Sequence, residues 1–397
     1  MTSAGWDPYP EFARRRGLGD AVLEEEEVTA DGVRQWFGVY RWDAVRMALT
    51  DEALSARVYH ESMGLEQRYG DLLLGMDDPQ HRAHRAVLQA TFSRESIARC
   101  LRTGVAAVAD RLVADLVSGT AGDPAAEVDL LPTLCEPLPA LVLTRLFGVG
   151  DEFADRLRAQ ALVLAPADGG GDVGGGDDGD EVRESDGLRR ALLPVIAERR
   201  RAHGEDLISV LAHGRVDGRP LTDDEVFCHL RLLAIAGTDT VSRALANLLF
   251  ALLAHPDQLA AVRAHPGLAA AAVDEAVRWE TPAVSVPRLA VRATRIGQVE
   301  IPSGAAVRCC LSSANHDADR WEDPDRYDLG RPPQAHAGFG VGTHACLGLH
   351  LAQQVMAHTL TALLAAAPGL RFAPDGPPAA MAGEHLRTPT SLRVRWS

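Results

Sequence analysis

One run, from Thr222 to Ala254, restricts the fold more than any other part of the chain. Thr222-Asp-Asp-Glu225 spells a capping box, in which the threonine hydroxyl serves the amide at Glu225 and the glutamate reaches back. Leu221 and Val226 have the spacing of a hydrophobic staple. The pattern stops before His255-Pro256, because the residue ahead of a proline is pushed out of the helical region. Such a helix spans roughly 45 Å at 1.5 Å per residue, enough to cross a whole domain. It is apolar almost all round, so it has to be buried. Arg231, Asp239, Arg243 and Asn247 lie within it and exclude a membrane span.

Helical spacing dominates elsewhere. Apolar residues recur at three- and four-residue intervals over 43–49, 79–90, 94–118, 138–147, 151–164 and 188–203. Strand signals cluster at 35–40 and in pieces from 287 to 310. The expected fold is therefore mostly α, one helical domain over 1–397 with a small β-rich lobe. Residues 165–186 form an acidic Gly/Asp-rich stretch almost without apolar side chains, and a flexible loop is expected there. Its Asp/Gly content admits calcium, but the spacing does not match an EF-hand loop.

The net charge of −15 makes a nucleic-acid partner unlikely to be accommodated, and none is expected. The first ten residues contain no apolar signal region. No membrane association is expected, and a cytoplasmic location is. Six cysteines, Cys100, Cys135, Cys228, Cys309, Cys310 and Cys346, lack zinc spacing. Five read as reduced core residues. Cys309 and Cys310 are adjacent in a strand-like run, so they should point to opposite faces.

The sixth is different. Cys346 follows a glycine-rich string, His336-Ala-Gly-Phe339-Gly340-Val-Gly342-Thr-His344-Ala-Cys346-Leu-Gly348, and precedes a helical pattern. Unpaired amides and the positive end of a helix dipole favour thiolate over thiol. The glycines let the backbone approach something flat and large. Within the long helix, Ala236-Gly237-Thr238-Asp239-Thr240 is costly in a buried setting. Threonine hydroxyls there can bond carbonyls one turn back and distort the ladder. A local opening with room for a ligand over Gly237 is one reading, and a polar kink held by internal hydrogen bonds is the other.

Phe339-Gly-x-Gly342-x-His344-x-Cys346-x-Gly348 resembles the heme-binding loop of the cytochrome P-450 family, and the resemblance extends over nearly the whole chain. It implies heme b (iron protoporphyrin IX) between the long helix and the loop, with Cys346 as the metal ligand and Phe339, Gly340, His344 and Gly348 around it. Ala236-Gly237-x-Asp239-Thr240 is similar to the family's [AG]-G-x-[DE]-T pattern, which implies Asp239 and Thr240 as the acid–alcohol pair beside O2. A thiolate ligand favours O–O cleavage, and the cleavage needs protons that such a pair can relay. His81 and Arg85 are similar to the family's His-x-x-x-Arg contacts to the heme propionates, with Arg288 and His344 completing four expected cations. Glu275 and Arg278 resemble the family's Glu-x-x-Arg brace, with Arg326 or Arg331 as its third member. After the loop the chain reads Leu351-Ala352-Gln353-Gln354-Val355, where the family commonly has Leu-Ala-Arg-x-Glu.

The resemblance implies a monooxygenase that inserts one atom of O2 into a hydrophobic small molecule, in secondary metabolism by expectation. Electrons would come from a ferredoxin and a ferredoxin reductase, since no G-x-G-x-x-G follows a strand in this chain. A monomer is expected. Two other readings share the motifs: a peroxide-driven peroxygenase, and a non-catalytic heme scaffold for a partner or carrier-tethered substrate. Expected pocket segments are 59–74, 232–237, 283–286 and 388–390, with Arg57 or Arg68 as candidates to meet an anionic substrate.

Overall fold

The computed structural model describes residues 7–29, 32–61, 66, 69–119, 126–162, 178–374 and 379–396. The central helix is Asp223–Ala254, 32 residues without interruption. Glu225 N donates to Thr222 Oγ1 at 3.2 Å and Thr222 N donates to Glu225 Oε2 at 2.8 Å, so the capping box is complete. A cap of this kind contributes about 1 kcal/mol. Leu221 and Val226 are both buried. The helix ends at His255, and the next helix, Pro256–Ala264, leaves at 105°. Helices Pro137–Phe147, Ala154–Leu162, Ala269–Trp279 and Leu349–Ala366 surround it and share one apolar core. Among the described residues, no single helix is long and apolar enough to cross a membrane.

The β-rich lobe is a five-stranded sheet in the order Val22–Thr29, Gly32–Val39, Ala306–Cys310, Ser285–Ala290, Leu54–Ser55. Ala306–Cys309 runs parallel to Trp36–Val39, and the other pairs are antiparallel. The strand Val22–Thr29 has no signal in the sequence because four consecutive glutamates interrupt its alternation. It lies at the sheet edge, where charged side chains are tolerated and prevent pairing with other chains. Cys309 joins the core of this lobe and Cys310 a second cluster with Phe12 and Tyr40, so the two thiols do face opposite ways.

Two expected helices and one expected loop differ in detail. The segment 94–118 divides into Arg94–Cys100, a wide turn Leu101–Val105 and Ala106–Ser118, because Gly104 adopts φ 156°, a conformation open to glycine. The segment 151–164 opens with a tight turn at Asp151–Phe153 before the helix Ala154–Leu162. Residues 163–177 of the acidic stretch lie outside the described residues. Residues 178–186, expected as loop, are instead the start of the helix Asp178–Arg201.

The loop before Cys346 joins the two parts of the molecule. Ala337 and Val341 pack with the sheet's core, whereas Phe339 and Leu347 pack with the helical core. Gly342, at φ 82°, lies against the end of the helix Trp42–Thr50, and a β-carbon there would meet the Leu49 carbonyl at 2.6 Å.

Candidate active site

Cys346 N donates to the Phe339 carbonyl at 2.8 Å, closing the loop on itself. The helix Leu349–Ala366 starts just beyond, and the amides of Gly348 and Leu349 both hydrogen-bond the sulfur. The cysteine side chain is exposed, yet the sulfur lies deep enough for burial to raise its pKa above the ordinary thiol value. The two amides and Arg85 oppose that rise without cancelling it. The expected ease of ionisation is thus not a property of the protein frame alone, because desolvation outweighs the helix terminus. A sulfur both accessible and deep stands on the wall of an internal hollow.

The central helix presents a matching surface. Ala236 is exposed and Leu233, Gly237 and Thr240 are partly exposed, while Ala234, Ile235 and Thr238 are buried. At 100° per residue the accessible positions fall on one face. Among the described residues beyond its own helix turn, a β-carbon on Gly237 would meet within 4 Å only the Leu143 methyls, at 3.5 and 3.8 Å. The expected distortion is absent: the helix is regular through 236–240. Thr240 Oγ1 donates to the Ala236 carbonyl at 2.7 Å and Thr238 Oγ1 to Ala234 at 2.6 Å, and the ladder accommodates both. Asp239 Oδ1 accepts from Arg243 Nε at 2.9 Å.

His81 and Arg85 share the helix Gln80–Gln89. The rings of His81 and His344 lie 4.0 Å apart, and Arg85 Nη2 donates to the Ala345 carbonyl at 2.7 Å, one residue from the sulfur. Arg288 is buried on the strand Ser285–Ala290, opposite Val307, and donates to its neighbour Pro287 O at 2.8 Å. Arg288 opposes the rise that burial gives the pKa of Tyr59. Burial chiefly lowers both histidines, His344 to about 3, with Arg288, His81 and Arg85 adding to the effect. Of the four expected cations, the two histidines are therefore neutral rings that can donate hydrogen bonds, and the charge belongs to the arginines.

Among the described residues, neither Arg85 nor Arg288 forms an ion pair with a carboxylate. A buried guanidinium without a counterion is costly. Arg288 is such a group and Arg85 is half-buried; beside an accessible sulfur and an open helix face, these two guanidiniums fit a flat group that carries carboxylates at one edge and a metal at its centre. The residues present therefore fit heme.

Glu275 and Arg278 are buried and bidentate, with both hydrogen bonds at 2.8 Å. Arg331 supplies the third member, its Nε 3.2 Å from Glu275 Oε1, while Arg326 contributes a carbonyl to Arg278. Gln353, in place of the family's arginine, donates to Asp274 at 3.0 Å. Of the expected pocket segments, 283–286 joins the hairpin containing Thr388 through the Ala283–Leu386 bridge. Arg57 is exposed, and Arg68 lies outside the described residues.

Sequence reasoning missed three features. Arg243 was legible from its position four residues after Asp239. His84, on a different face of its helix from His81 and Arg85, is buried with His229, and their nearest nitrogens are 3.1 Å apart. The buried Arg387–Glu280 pair, at 2.7 Å, had no local signal because 107 residues separate its members.

A family model described as cytochrome P-450 matches residues 267–366. Cytochrome P-450 107B1 of Saccharopolyspora erythraea is 32% identical over 380 residues, covering 91% of this chain and 90% of the relative. The cyclomarin C epoxidase CymV of Salinispora arenicola is 33% identical over 352 residues, covering 86% of each. Among solved structures, P450BioI in complex with an acyl carrier protein superposes with a TM-score of 0.86 over 98% of both chains, at 23% identity. That last likeness concerns the fold alone.

Proposed function

Because this chain belongs to the cytochrome P-450 family, a family of heme monooxygenases, we propose that it hydroxylates or epoxidises a hydrophobic organic substrate of secondary metabolism. The proposed electron donors are a ferredoxin and its reductase, and the proposed catalytic unit is a cytoplasmic monomer spanning 1–397. Epoxidation is included because CymV bears that name.

The accessible, deeply set Cys346 sulfur with two helix amides on it is the observation that carries the reading. Cys346 would hold the heme iron through its sulfur. Heme so ligated supplies O2 binding and O–O cleavage. The two amides and Arg85 would stabilise the sulfur as an anion and temper its basicity. Arg85 and Arg288, with neutral His81 and His344 as hydrogen-bond donors, would hold the propionates. Phe339, Gly340 and Gly348 would line the sulfur side, and Ala236 and Gly237 would leave the opposite side open. Thr240 would exchange its bond to the Ala236 carbonyl for one that holds a water or the reacting oxygen, and Asp239 would move protons to it. Retention of this acid–alcohol pair favours O2-driven over peroxide-driven chemistry.

Two experiments test the reading. Dithionite-reduced protein under carbon monoxide should absorb at the position diagnostic of thiolate ligation, and an imidazole-type spectrum from intact protein overturns it. Replacing Thr240 by Ala should cut NAD(P)H-coupled product formation at least tenfold, and unchanged coupling refutes the proton relay. Screening compounds for a low-spin to high-spin Soret shift would identify the substrate class.

A further inference from the structure

Asp239 and Arg243 form an i,i+4 pair, which on an open helix surface contributes little. Here the two side chains are only 21% and 22% exposed. The second carboxylate oxygen, Asp239 Oδ2, is buried with no hydrogen-bond partner among the described residues. A desolvated oxygen without a donor is costly, so this carboxylate is held half-satisfied.

Arg243 is held from its other side as well. Its Nη1 donates to the Leu386 carbonyl at 3.2 Å. Leu386 lies in the turn of the hairpin that pairs Met381–Ala382 with Thr388–Pro389. The turn is tightly built: Gly383 has φ 99°, and a β-carbon there would overlap the Leu386 carbonyl at 1.9 Å. Val284 N donates to His385 O at 2.9 Å and Arg387 N to Pro282 O at 2.8 Å, tying the turn to the segment leading into the Arg288 strand. One helical turn beyond Arg243, Asn247 donates to the Arg387 carbonyl at 3.2 Å. The hairpin thus rests on two successive turns of the central helix, and the first contact uses the same guanidinium that holds Asp239.

We propose that Arg243 is a positioning residue that couples the Asp239 carboxylate to the 381–389 hairpin, so that a substrate displacing the hairpin also moves the acid. The proposal rests on the reading of Asp239 as proton donor and names what regulates it. A guanidinium suits the task because its planar fork serves two acceptors in fixed geometry, whereas a lysine ammonium is a compact charge on a flexible stem that lacks this fork.

The test is hydrogen exchange followed by mass spectrometry on the heme-loaded protein without substrate, comparing the parent with Arg243→Gln and Asp239→Asn. Coupling is reciprocal, so both variants should speed exchange at Val284 and Arg387 by about fivefold or more. Arg243→Lys, which can keep the ion pair, should recover part of the product formed per NAD(P)H lost in Arg243→Gln, while its hairpin exchange stays fast. Hairpin exchange in Asp239→Asn equal to the parent's overturns the coupling. Should Asp239→Asn exchange faster yet keep full product per NAD(P)H, the coupling stands and the proton-donor reading falls. The carbon monoxide spectrum reports folding in each variant, and if Arg243→Gln fails to fold, Asp239→Asn decides the matter.

Discussion

Two carboxylate–arginine pairs on helices, Glu275–Arg278 and Asp239–Arg243, are built to opposite specifications. Arg278 makes hydrogen bonds from all three of its nitrogens, to both Glu275 oxygens and to the carbonyls of Asn315, Pro324 and Arg326. Glu275 in turn accepts from Arg331 and from the Asp328 amide. This pair has no unsatisfied atom and no room to move. Asp239 and Arg243 are similar in chemistry, but one oxygen lacks a donor and both side chains are partly open. A fully satisfied buried pair fixes structure, because every alternative arrangement loses several bonds at once. A half-satisfied pair has a low barrier to a new partner. The first suits a brace beneath the cysteine loop, and the second suits a group that has to exchange protons.

The comparison breaks most directly at Arg278. Arg278→Met should destabilise the heme-loaded protein by about 3–5 kcal/mol in urea unfolding, since it strands a buried carboxylate. A loss below about 1 kcal/mol would remove the distinction between the pairs. The next effect involves a buried polar contact of a third kind, His84 with His229. Burial, with His84 nearby, pushes His229 down to about 4. An unfolded histidine titrates near 6.5. Between those values the unfolded chain binds a proton that the folded chain refuses, so this residue makes stability fall as pH drops through the window and has little effect above it. From pH 7 to pH 5 the parent should lose about 2 kcal/mol more stability than His229→Gln. Equal losses would show that His229 is not held neutral. Thr222→Ala, which removes half of the capping box, should cost about 1 kcal/mol. Asp239→Asn should change unfolding free energy by no more than about 0.5 kcal/mol, because it relieves an orphaned charge while losing an ion pair. A large loss there would make Asp239 a brace after all.

What was legible in the sequence follows from the range of the interactions. The central helix, with its cap and its end at His255, was readable because capping and apolar periodicity act within a few residues. The cysteine loop and the Glu275–Arg278 pair were readable for the same reason. The strand Val22–Thr29 was not, because it is a strand only through pairing with Gly32–Val39 at a polar edge. Gly104 broke an expected helix that the surrounding periodicity argued for. The regular geometry at 236–240 differed from expectation because threonine back-bonding left the ladder intact. The ionisation of Cys346 was misjudged because sequence reveals the helix terminus but not the depth of the sulfur.

The loop ahead of Cys346 is shared between two independently packed bodies, with Gly342 pressed on the last turn of a helix from the smaller one. The sulfur therefore sits where two rigid frames intersect. A slight slide of one frame past the other would strain the proposed sulfur–iron bond before disturbing either interior. Spectral features of that bond would then act as a gauge of alignment, and substitutions far away in the sheet would register there.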